Sequence, residues 1–257
     1  MRKALFTFAV CVAAWLVVPC QAGLKVYYIR HAQQGGNVTK EWAEIPKSRW
    51  PDYVGKSYRF TPLGEAQAAH VPTKLAPYHF DFIAVSPTWR TRQTILAYLK
   101  AQNRRAEIWP ELIEFGRMDG DGHRIGAPDL PPPSDDLLTG GKPIKLSADE
   151  EPWFILRPDG LLEPKLGRGG DPGAADLTEL QRRVVARLRE QFGGTDKSVL
   201  LVGHGHAGIR LLRVLTGDPA ATKTPLNNIG IWMAEEQPDG RFVIRMINDK
   251  PVETADK

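Results

Sequence analysis

At 257 residues, with 42% hydrophobic and 25% charged side chains, the chain is long enough for one large or two modest domains and too apolar to be disordered throughout. Its net charge of +4 drops to +2 once Arg2 and Lys3 are set aside with an N-terminal leader, so the pI near 9.0 is weak support for a nucleic-acid or membrane-surface protein. Both cysteines, Cys11 and Cys20, lie in that leader, which excludes a disulfide framework from the remainder.

The leader is residues 1–22. Arg2-Lys3 precede an apolar run over 4–18 and then Pro19-Cys20-Gln21-Ala22-Gly23, the layout of a secretory signal peptide cut after Ala22. The run is shorter than the ~20 residues of a membrane span. The expectation is an exported protein, periplasmic or secreted, with one domain over 23–257 and no stable membrane anchor after cleavage.

The first element of that domain is LKVYYIRHAQQGGN at 24–37, an apolar and β-branched run that stops at Arg30-His31 before the turn residues Gly35-Gly36. Such a run, bounded by turn signals, predicts a buried strand. Residues 38–60 are rich in aromatics without a clean period and read as an insertion or lid loop. Thr61-Pro62 then supplies an N-cap and a first-turn proline for a helix that Pro72 is expected to interrupt. A second strand, DFIAV at 81–85, ends in Ser86-Pro87. There Ser86 is expected to cap a helix that carries Arg90 in its opening turn, and such a helix start is a plausible anion cradle.

Residues 116–173 hold 11 of the 24 glycines and 9 of the 21 prolines, a density that no long helix or central strand survives. Their length predicts a cap over a site or a mobile segment. Order resumes at Asp176, which has capping-box spacing to Glu179, and Leu177, Leu180, Val184, Leu188 and Phe192 mark one helical face ending at Gly193-Gly194. SVLLVGHGHAG at 198–208 predicts a strand stopping at Gly203-His204, followed by a helix from about Ile209 to Leu215. Two further strands, joined by Pro238-Asp239-Gly240, complete the chain.

Three strand ends thus carry Arg30-His31, Ser86 with Arg90 just beyond, and His204. In one parallel sheet they would converge at its carboxyl edge, and two imidazoles with two guanidiniums imply a dianionic ligand such as a phosphate monoester. His204-Gly205-His206 also has the form of a zinc pair, but further ligands have no clear source. His70, His79 and His123 read as surface or core residues.

The pattern resembles the histidine phosphatase superfamily, branch 1, the phosphoglycerate-mutase-like proteins. The resemblance rests on RHAQQGGN at 30–37, FTPLGEAQA at 60–68, VSPTWRTRQT at 85–94 and LLVGHGHAGIRLL at 200–212, in the family's order. It implies a three-layer α/β/α fold with a mostly parallel central sheet and loop insertions forming a cap. It further implies a metal-independent phosphomonoesterase, without cofactor, acting on a small phosphorylated molecule, with no nucleic-acid partner. A phosphoglycerate-mutase-type phosphotransferase and a non-catalytic phosphate-ester binding protein are the alternatives. By the same resemblance His31 is the phosphoryl-accepting nucleophile, Arg30, Asn37, Arg90 and His204 bind phosphate, and Glu114 in WPELIE is the proton donor. Glu111 is the fallback acid, followed by Asp119 and Asp121. His206 either lines the pocket or fills a turn. Ala32 replaces the family's commoner glycine, and the phytase-like opening RHGxRxP does not fit.

Overall fold

Alternation along the apolar runs fixes the architecture. In β5 (Ser198–Gly203), Val199 and Leu201 join one core while Leu200 and Val202 join another, because successive side chains leave opposite faces of a strand. Both faces must therefore be covered, which is the condition for a parallel sheet with helices on each side.

The computed structural model describes residues 23–114, 143–160, 177–218 and 224–252. The leader, Asp119, Asp121, His123, Asp176 and most of the glycine-proline segment lie outside the described residues. Eight strands form one sheet in the order β4-β3-β2-β5-β1-β6-β7-β8, where β1 is Lys25–Arg30, β2 Phe82–Val85, β3 Ala106–Ile108, β4 Phe154–Leu156, β6 Ile231–Glu236, β7 Phe242–Ile247 and β8 Lys250–Pro251. The strands from β4 to β1 pair in parallel, and β6, β7 and β8 add on antiparallel. Helices α1 (Pro62–Leu75) and α2 (Trp89–Gln102) bury Val71, Leu75, Ile95 and Leu99 on one face. Helices α3 (Leu177–Phe192) and α4 (Gly205–Thr216) bury Val184, Leu188, Leu211 and Leu215 on the other. Each such side chain contributes about 1.5–3 kcal/mol. This is the expected three-layer α/β/α fold. Among the described residues no helix is long and apolar enough to cross a membrane.

Two local expectations are corrected. Pro72 does not end α1, which runs on to Leu75: Val71 and Leu75 are fully buried against α2, and that packing outweighs one lost backbone hydrogen bond. The last helix begins at Gly205, four residues before Ile209, with His204 at its N-cap and the Gly208 N–H on the His204 carbonyl (3.0 Å). Residues 38–60 fold as short 3-10 turns that close on their own start, where the Gly35 N–H meets the Arg59 carbonyl (3.0 Å) and Gln34 bridges to Phe60.

The glycine-proline segment contributes β4 at the sheet edge, a position that three residues can fill. It is anchored by a buried pair. Arg92 grips both oxygens of Glu150 (2.9 and 3.1 Å), which also accept from Gln93 and from the N–H and hydroxyl of Ser147. Burial alone would raise the Glu150 pKa, but Arg92, Ser147 and Gln93 outweigh it and hold the carboxyl below its ordinary range. Its contribution to stability is therefore present at neutral pH and lost as pH falls through that depressed value. Glu150→Ala leaves Arg92 buried and uncompensated, so thermal unfolding at pH 7 should show a loss of about 3–5 kcal/mol.

Candidate active site

Register brings the strand ends level. Arg30 pairs with Gly203 across β1 and β5, Val85 with Val202 across β2 and β5, and the His31 and Ser86 N–H groups continue onto the Gly203 and Val202 carbonyls, both at 2.9 Å. Because β5 lies between β1 and β2, the first residues beyond all three strands share one edge, where open α/β sheets bind ligands.

His31 and His204 are 3% and 0% exposed, with ring centroids 5.3 Å apart. His31 Nδ1 lies 2.7 Å from the Ala32 carbonyl, which can only accept, so Nδ1 carries the proton and Nε2 keeps a free lone pair. Burial, and then the charges of Arg90 and Arg30, push the His31 pKa well below its ordinary value, so the ring is neutral at pH 7. The loop that carries it is fixed by the FTPLGEAQA stretch. The Gln33 N–H donates to Gln67 (2.8 Å), the Thr61 hydroxyl to the Gln33 side chain (2.7 Å), and a Cβ on Gly64 would lie 1.8 Å from the Gln33 carbonyl. Thr94 of α2 holds the Ala32 N–H at 2.8 Å.

His204 is held from both sides. Arg90 Nη2 donates to Nδ1 (3.1 Å), so Nε2 bears the hydrogen and gives it to the Ser86 hydroxyl at 2.8 Å. Ser86 therefore does not cap α2, whose N-cap is Thr88; it fixes an imidazole instead. Burial, followed by Arg90, His31 and Arg30, holds His204 neutral as well. Tyr28, stacked on Trp232 at 5.1 Å, meets the His204 backbone through its hydroxyl. A Cβ on Gly203 would come within 2.0 Å of that hydroxyl, so the glycine makes the approach possible.

Arg30 Nη1 donates to the Leu226 carbonyl (2.6 Å), and its buried Nε has no partner. Asn37 closes a 3-10 turn with its Oδ1 accepting from the Gln34 N–H (3.0 Å), and its side chain is exposed. Glu114 follows β3 and accepts from the Ala207 N–H in the first turn of α4 (3.2 Å). Burial pushes its carboxyl pKa up, and the charges of His206, Arg90 and Arg30 offset only part of that rise. Glu111 is committed elsewhere, to Arg157 at 2.9 Å and Arg187 at 3.7 Å. His206 is exposed, next to a buried His204 whose ring nitrogens are both engaged, and no metal-holding group occurs among the described residues.

The edge thus gathers His31, Arg30, Arg90, His204 and Glu114, with Asn37 at its rim. Sequence reasoning missed Tyr28, read as plain strand, and Asn228, whose amide donates to the His31 carbonyl (2.9 Å). Nothing in a polar Asn-Asn pair before a strand announces that contact.

Residues 26–137 match the family described as histidine phosphatase superfamily (branch 1). The structure named Mycobacterial hydrolase 1 is similar over 90% of this chain and all of its own, with TM-score 0.55 and 19% identity. The mycobacterial glucosyl-3-phosphoglycerate phosphatase in complex with VO3 is similar over 88% and 99%, with TM-score 0.53 and 18% identity. A phosphoserine phosphatase from Entamoeba histolytica in complex with phosphoserine is similar over 88% and 96%, with TM-score 0.51 and 18% identity. Comparison with curated protein sequences gives no match. At these identities the structural likeness establishes the fold.

Proposed function

For a chain whose residues 26–137 match the histidine phosphatase superfamily (branch 1), we propose an exported phosphomonoester hydrolase that works through a phosphohistidine on His31. One observation carries the reading: the neutral His31 ring, with a free Nε2, sits with Arg30, whose buried Nε is an unpartnered donor, and with Arg90 and His204. A buried cationic donor without a partner suits an anion, and the adjacent lone pair suits attack on phosphorus.

In this account Arg30, Arg90 and Asn37 bind the phosphoryl oxygens and stabilise the charge they carry in the transition state. His204, expected to bind phosphate itself, has its Nε2–H on Ser86 and its Nδ1 on Arg90, and here it keeps that guanidinium aligned instead. His31 Nε2 attacks phosphorus as the bond to the leaving oxygen breaks, and that oxygen takes the proton of Glu114. The Glu114 carboxylate then removes a proton from water, whose oxygen attacks phosphorus as the P–N bond breaks. Phosphate leaves, with His31 neutral and Glu114 protonated once more.

The substrates named for the similar structures are small phosphorylated molecules, which supports the same class here. The signal-peptide-like run at 1–22 supports export, and the proposed steps call on no metal or cofactor. The test is to express the full chain, recover the exported form, and assay phosphomonoesters with a strong chelator present. The expected result is a chain starting at Gly23 that releases phosphate unimpaired by the chelator. Tight binding without turnover would overturn the hydrolase, and a product phosphorylated at a new position would identify a phosphotransferase.

A further inference from the structure

The segment just before β6 holds Arg30-His31 from the side of β1 away from β5. Gly230 and Ile229 continue the antiparallel ladder onto the Arg30 backbone (3.2 and 3.1 Å), and Leu226 supplies the carbonyl that takes Arg30 Nη1. The segment is itself braced. Asn248 accepts from the Asn227 N–H (2.8 Å) and donates to the Pro225 carbonyl (2.9 Å). Ile229 adopts φ +50°, a left-handed conformation that is strained for a β-branched residue and persists only where its surroundings impose it.

Asn228 lies within this braced turn, and its Nδ2 reaches two acceptors: the His31 carbonyl at 2.9 Å and Asn37 Oδ1 at 3.4 Å. The chemistry of the partners fixes both amide orientations. A carbonyl can only accept, so the group on His31 is the Asn228 NH2. A backbone N–H can only donate, so the face of Asn37 toward Gln34 is its oxygen. With Oδ1 taken by Gln34 and Asn228, the Asn37 NH2 is left as the face available to a ligand.

We propose that Asn228 is a positioning residue of the phosphoryl-transfer site: it links the nucleophile's backbone to Asn37 and sets the Asn37 amide so that it presents a donor to a phosphate oxygen. The inference rests on the reading of the site as a phosphate pocket. Asn228 lies outside the matched family segment, and it acts through Asn37 without touching substrate.

The test is a double-mutant cycle between Asn228→Ala and Asn37→Ala, read both as kcat/KM on a phosphomonoester and as affinity for inorganic phosphate. Each single variant should weaken both by about 10-fold, the worth of one charge-assisted hydrogen bond, and the double variant should be no worse than either alone. Asn228→Asp keeps the size but turns an acceptor toward Asn37 Oδ1, so it should be at least as impaired as the alanine variant even where its thermal unfolding matches the parent. Effects that multiply in the double variant, or an Asn228→Asp protein within 2-fold of the parent, would overturn the proposal. Phosphate affinity decides the matter even if the parent turns nothing over, a result that would count against the hydrolase alone.

Discussion

Replacing His31 by alanine is expected to lower phosphomonoester turnover by at least about 10⁴-fold while leaving inorganic phosphate binding within a few-fold of the parent. The two quantities separate because they depend on different atoms. Binding draws on Arg30, whose Nη1 is fixed to the Leu226 carbonyl, and on Arg90, which is aligned on His204 Nδ1. In the proposed mechanism turnover needs the lone pair of His31 Nε2, and the neighbouring imidazole cannot replace it. His204 gives its Nε2 hydrogen to Ser86 and its Nδ1 lone pair to Arg90, so neither nitrogen is free to attack. Steady-state assays of the variant, with phosphate affinity measured by calorimetry, check both halves. A His31→Ala protein retaining a tenth of the parent's activity would show that the nucleophile lies elsewhere.

Glu114→Gln should produce the next largest loss, about 10²–10⁴-fold for alkyl phosphates and much less for aryl phosphates, whose leaving groups depart without a proton. The pH dependence follows from the two shifts. In the proposed mechanism the reactive form has His31 neutral and Glu114 protonated. Burial with Arg90 and Arg30 keeps His31 neutral well below the usual imidazole range, while burial keeps Glu114 protonated above the usual carboxyl range. Activity on alkyl phosphates should therefore peak at acid pH and fall as pH rises through the Glu114 value. That alkaline limb should vanish in Glu114→Gln. It should persist in Glu111→Gln, because the Glu111 carboxylate is bound by Arg157 and serves to join the β3 end to the β4 segment. Loss of the limb in the Glu111 variant, with the Glu114 variant unaffected, would reverse the assignment.

Most of the sheet and the site was legible because both depend on short-range patterns. Apolar runs that stop at Arg30-His31, at Ser86 and at Gly203-His204 mark strand ends, and a parallel sheet brings such ends together. What escaped the sequence depends on contacts distant along the chain. Pro72 looked like a helix terminus, since the burial of Val71 and Leu75 against α2 has no local signature. Ser86 looked like a helix cap, because a Ser-Pro pair has the same form whether the hydroxyl turns to its own helix or to an imidazole 118 residues away. β4 emerged at the sheet edge from a stretch whose composition argues only against a long helix or a central strand, held there by Glu150 on Arg92. The choice between Glu114 and Glu111 was open for a similar reason: what separates them is a partner, the Ala207 N–H for one and Arg157 for the other.

The covalent step itself gives the most direct measurement. Glu114→Gln protein mixed with an aryl phosphate labelled on phosphorus, then quenched in alkali, should carry about one label per chain, stable to base and released by acid. Peptide mapping should place the label on His31. A chain that releases phosphate at the parent's rate with no such label, or with the label on His204 or Ser86, would contradict the account.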